Sequence, residues 1–143
     1  MLSTKSITLS AIASFLSLTT ASPTIGSLST PSTVAAGSSI KATLGTSIYV
    51  QNWEDYNIVW GIAPAALHVG VGTNNPAIGT QIAYTPLYGT DTEKLNNFTV
   101  EVAIPATQPA GAWQLVAAVP YIVSASGQMG INSFVSNITV TAS

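Results

Sequence analysis

The chain has 143 residues, of which 47% are hydrophobic and only 6% charged, and it contains neither cysteine nor arginine. That length suits one domain. The missing thiols exclude disulfides, thiol catalysis and thiolate metal sites, and three lysines cannot form the basic track that a nucleic-acid backbone requires.

The N-terminus reads as a secretory signal peptide over 1–21. Lys5 supplies the positive charge, Ile7 to Leu18 is an apolar stretch too short to span a bilayer, and small residues at Thr19 and Ala21 suit cleavage after Ala21. The mature chain expected from this runs from Ser22 to Ser143. It carries Lys41 and Lys94 against Glu54, Asp55, Asp91, Glu93 and Glu101, a net charge of −3. No later apolar run is long enough for an anchor, so the expectation is a secreted, extracellular protein with no membrane insertion.

Along the mature chain, turn residues recur every eight to twelve positions and helical periodicity is missing. SSIKATLGT places Ile40, Ala42 and Leu44 on one face of a strand. In YVQNWEDYNIVWGIAP, alternation groups Tyr56, Ile58, Trp60 and Ile62, which makes Trp60 a core residue and leaves Trp53 to Tyr56 as an exposed corner before that strand. From Ala65 to Gly89 the pattern is loop-like, apart from a strand in TQIAYTPLYG with Pro86 marking an edge or a bulge. GTDTEKLNN reads as a solvated loop. NNFTVEVAIP alternates again, with Phe98, Val100, Val102 and Ile104 inward. PATQPAG must turn, and it resembles the corner at which immunoglobulin-like sandwiches cross between sheets. AWQLVAAVPYIV is apolar on both faces, so it is either covered on both sides or leaves a strip for a partner. The expected fold is all-β, an immunoglobulin-like β-sandwich of about seven to eight antiparallel strands, in one domain over 22–143. Two sequons, Asn97-Phe98-Thr99 and Asn137-Ile138-Thr139, place their asparagines on polar strand faces as glycosylation sites, whereas Asn75 precedes Pro76 and is excluded.

Catalytic chemistry finds little support. His68 is the single histidine and no Gly-x-Ser-x-Gly elbow accompanies it. Without cysteine, a transition-metal site lacks ligands, and an oxygen-only site around Asp91, Glu93 and Asn96 follows no spacing rule. No metal or cofactor is expected. Glu54 and Asp55, as neighbours on a strand, would point to opposite faces and could act as a glycosidase pair only across a bend or with Asp91, Glu93 or Glu101. Trp53, Tyr56, Trp60, Tyr84 and Tyr88 could form a carbohydrate-binding platform.

The blocks IYVQNWEDYNIVWGIAP, IGTQIAYTPLYG and PAGAWQLVAAVPYIVSASGQMG together resemble the necrosis-inducing secreted protein family of plant-associated fungi. The resemblance covers roughly Thr30 to Val140. It implies an effector and not an enzyme. It further implies binding to receptor-associated protein kinases of the plant host, at the cell surface or in the cytoplasm, with suppression of pattern-triggered immunity and, in some members, host cell death. The death-inducing activity is implied for the C-terminal part, from Pro120 onward. The resemblance assigns no contacts. From the residues themselves, the candidate interaction cluster is Trp53, Glu54, Asp55 and Tyr56 with Tyr121 and Gln128, because aromatic area meets the chain's adjacent acids there. The competing readings are a structural corner in which Asp55 bonds nearby backbone N–H groups, and a carbohydrate-binding module of fungal or plant walls.

Overall fold

A computed structural model describes residues 22–49, 52–65 and 77–143; the expected signal peptide over 1–21, together with His68 and Asn75, lies outside these described residues. The described residues form nine strands: β1 (Pro23–Ser29), β2 (Thr33–Ala35), β3 (Ser39–Ile48), β4 (Trp53–Asp55), β5 (Asn57–Pro64), β6 (Thr80–Pro86), β7 (Asn97–Ala103), β8 (Gly111–Val123) and β9 (Gln128–Thr141). One sheet has the order β1-β3-β7; the other runs β2-β9-β8-β5-β6, with β4 also paired to β8.

Alternation builds the smaller sheet as expected. Ile40, Ala42 and Leu44 of β3 lie opposite Val102, Val100 and Phe98 of β7, and this row faces the core. From the larger sheet, Ile58, Trp60 and Ile62 of β5 and Leu115, Ala117 and Val119 of β8 meet it. Each buried Ile, Leu or Val contributes about 1.5–3 kcal/mol of transfer free energy. Pro105 to Gly111 carries the chain from β7 in one sheet to β8 in the other, with Gln108 N–H closing a turn onto the Pro105 carbonyl at 3.1 Å.

The all-β class holds, but the arrangement differs from seven to eight antiparallel strands of immunoglobulin type. There are nine strands among the described residues, β2 pairs with β9 in parallel, and the six-stranded sheet curls as a half-barrel. It approaches the smaller sheet at β6 and β7 on one side, and at β1 with β4 and β9 on the other. The extra strands, β2 and β4, have three residues each. They are too short to show periodicity.

Strand β8 is covered on both faces along part of its length. Val116 is wholly buried on the outer face with Ala63, against Ile78 and Val135. Gly61 makes this possible, because a side chain there would collide with the Ile78 backbone where it crosses β5. Toward the β8–β9 turn the outer face opens, and Met129 is 73% exposed.

One irregularity decides the orientation of the corner. Asp55 lies opposite Tyr121 and Val59 opposite Ala118. Three residues, Tyr56, Asn57 and Ile58, therefore face only two, Val119 and Pro120. This is a β-bulge. Pro120 has no N–H to give the ladder, and its carbonyl accepts the Tyr56 N–H at 2.9 Å. Unbroken alternation would put Trp53 and Asp55 on the face opposite Trp60. The bulge brings them to the same, inner, face.

Candidate interaction surface at the Trp53–Tyr121 corner

Inward rotation places the Asp55 carboxylate between the sheets, 1% exposed. Its Oδ2 accepts the Ile25 N–H of β1 at 2.9 Å, and its Oδ1 accepts the Trp53 indole N–H at 2.7 Å. A carboxylate thus supplies an acceptor to one strand of the smaller sheet and fixes a ring on the larger. The structural role weighed for Asp55 is the one the geometry shows, except that its backbone partner lies thirty residues away in sequence.

Glu93 completes this arrangement. The GTDTEKLNN loop, expected to be solvated, folds back so that the Glu93 carboxyl hydrogen-bonds Asp55. Burial, the Asp55 charge, the bond to Asp55 and the Glu54 charge push the Glu93 carboxyl up to about 8. Asp55 is also raised, by burial, against the lowering effect of its bonds from Ile25, Trp53 and Glu93. Two N–H donors pin the negative charge at Asp55, so the shared proton resides on Glu93 and is donated to Asp55. Glu54 is raised by burial and by Asp55. A glycosidase needs a gap of roughly 5–9.5 Å between its carboxyls for the scissile bond. Carboxyls bonded to each other leave none.

Trp53 lies flat on Tyr121, with ring centroids 4.0 Å apart and planes at 16°, and meets Tyr49 edge-on at 5.0 Å. On the far side of Tyr121 lies Gly130, where a side chain would strike the tyrosine ring. The row Gly130, Tyr121, Trp53, Tyr49 therefore crosses from β9 to the end of β3. Trp53 and Tyr121 are half-buried and Tyr49 is 40% exposed. Gln128 lies opposite Val123, which lies opposite Trp53, so it borders the same face.

Of the six residues expected to cluster, the structure brings Trp53, Asp55, Tyr121 and Gln128 to one face. Asp55 supports that face from within and presents no side chain to solvent. Glu54, half-buried, lies on the outer face opposite Ile122. Tyr56 turns to Tyr88 instead, stacked at 5.0 Å, while its carbonyl accepts the Leu87 and Tyr88 N–H groups, each at 3.0 Å. Trp60 is fully buried and donates its indole N–H to Thr85 Oγ1 at 2.9 Å, which removes it from any carbohydrate platform. Glu93 and Tyr49 were not legible as members of the cluster. Glu93, which the sequence offered only as one of three acids able to reach Glu54 and Asp55, comes from a loop far along the chain, whereas Tyr49 lies just before Trp53 in the same stretch and gave only its chemical type as a signal.

The family model described as the Nis1 family matches residues 21–141. The chain belongs to the Nis1 family. This Nis1-family chain is 32% identical over 132 residues to necrosis-inducing secreted protein 1 of Colletotrichum orbiculare, a match spanning 92% of this chain and 76% of that protein. Membership agrees with the resemblance carried by the three sequence blocks. Among solved structures, a superoxide reductase (neelaredoxin) from Ignicoccus hospitalis is similar at a TM-score of 0.38 and 10% identity, over 85% of this chain and 80% of that one. A likeness that slight bears on neither the fold nor the chemistry of the family.

Proposed function

We propose that the chain is a secreted effector of a plant-associated fungus that binds receptor-associated protein kinases of the plant host and suppresses pattern-triggered immunity, with induction of host cell death as a further activity. Family membership and the name of the Colletotrichum relative, a secreted necrosis-inducing protein, support the effector class. The observation that carries the proposed contact is the Tyr49–Trp53–Tyr121 stack, an amphipathic aromatic patch held rigid by the Asp55 bonds. Pre-ordered aromatics with a polar rim are the usual anchors of protein interfaces, and Gln128, on the same face, supplies that rim.

The test is capture of host kinases from plant extract, with kinase inhibition measured in parallel. A folded Trp53→Ala, Tyr121→Ala double variant should lose at least about tenfold in affinity, as expected for hot-spot aromatics. Unchanged capture and inhibition would place the contact elsewhere. A second reading, binding to wall polysaccharide, is favoured by Tyr88, which is 61% exposed and stacked on Tyr56. It requires retention on insoluble glucan, chitin or cellulose that Tyr88→Ala abolishes.

A further inference from the structure

The sequon Asn137-Ile138-Thr139 lies on β9 with Asn137 and Thr139 exposed on the outer face and Ile138 buried in the core between them. Across the end of the larger sheet beside them runs a trough of about 660 Å³, walled by Trp113, Gln114, Asn137, Thr139 and Ser32. Gln114 Nε2 donates to Asn137 Oδ1 at 3.2 Å, which turns the amide nitrogen of Asn137 away from that contact. Gln114 Oε1, by contrast, is buried with no hydrogen-bond partner among the described residues. Such an acceptor costs about 1–3 kcal/mol when left unpaired, and turning the Gln114 amide toward the trough would present it to a sugar hydroxyl or acetamido N–H, a donor that satisfies it. The surroundings carry no charge: beyond Glu101 the chain has no Asp, Glu, Lys or Arg, so β8 and β9 lack the charged side chains that keep sheet surfaces apart.

We infer that Asn137 carries an N-linked glycan whose first N-acetylglucosamine lies in this trough against Gln114, and that this glycan covers the charge-free outer face. In the attachment step the Asn137 amide nitrogen bonds to the anomeric carbon of a lipid-linked oligosaccharide, loses a proton, and the lipid pyrophosphate leaves. The step precedes folding, as the chain enters the secretory pathway, and folding then seats the first sugar. The inference rests on the secreted reading above but not on kinase binding. Asn97, also in a sequon and exposed at the start of β7, lies outside the trough.

The full chain, secreted from a glycosylating yeast, is mapped by peptide mass spectrometry with isotopically marked enzymatic release of N-glycans. Asn137 is expected to be occupied. Release at Asn137 from the native protein should be about tenfold slower in wild type than in Gln114→Ala or Gln114→Ser, the equivalent of one hydrogen bond, and equally fast in all three after heat denaturation. An unmodified Asn137 overturns the inference, and so does native release that differs less than about twofold between wild type and both Gln114 variants, a gap smaller than one hydrogen bond.

Discussion

Replacing Glu93 by Gln preserves the side chain's shape but exchanges a proton that can leave for an amide N–H that cannot. In the folded protein Glu93 keeps its proton up to about pH 8, whereas the unfolded chain loses it near the ordinary value of 4.5. Between those values the folded state binds more protons than the unfolded state, so stability falls as pH rises through the window and levels off above it. Glu54 and Asp55 are raised as well and act with the same sign. An unscreened group would contribute about 1.4 kcal/mol per pH unit. Glu93 is half-buried, and screening by the solvent it still meets reduces the expected loss to about 1–2 kcal/mol between roughly pH 5 and 8.5. Urea unfolding followed by tryptophan fluorescence at several pH values measures this directly. Glu93→Gln should flatten most of the slope, because its amide donates to Asp55 at every pH. Equal slopes in wild type and variant, or a wild-type stability that rises with pH, would refute the assignment of the shared proton to Glu93.

Asp55→Ala removes the acceptor of a buried backbone N–H and of the Trp53 indole; a loss of about 2–4 kcal/mol is expected, read as a drop in urea midpoint. Gly130→Ala drives a methyl group into Tyr121; it should cost about 1–3 kcal/mol by overpacking and change the near-ultraviolet circular dichroism of the Trp53–Tyr121 stack. Trp60→Phe leaves space in the core and breaks the bond to Thr85 Oγ1; the melting temperature should fall by roughly 5–15 °C for a loss of about 1–3 kcal/mol.

Much of the fold was legible wherever one face of a strand is buried. Ile40 to Leu44 and Phe98 to Ile104 alternate in sequence and pack in register across β3 and β7. Trp60 was identifiable as core from the same alternation. The candidate site was half legible, for a specific reason: periodicity holds only within an unbroken ladder, and the extra residue between Asp55 and Val59 reverses it. Trp53 and Asp55 therefore read as an exposed corner when one is half-buried and the other is sealed between sheets. Pro120, the residue that interrupts the ladder, lies on another strand far along the chain. Glu93 was legible only as one of three acids that could reach Glu54 and Asp55, since a carboxyl in a polar loop looks solvated until the fold brings it against Asp55.

The scarcity of charge on the larger sheet also determines how the protein meets digestive enzymes. A protease that cuts after lysine or arginine finds only two lysines in the chain from Ser22 onward. Lys41 lies within β3, directly opposite Glu101 of β7, where the backbone cannot enter a protease cleft without separating the strands. Lys94 is on a loop, but its carbonyl, the group such an enzyme must attack, accepts the Thr46 hydroxyl at 2.6 Å, and the adjacent Glu93 is fastened to Asp55. Both scissile bonds are thus guarded by the same contacts that assemble the fold, and everything beyond Lys94, including the whole β8–β9 hairpin, would survive as one uncut piece.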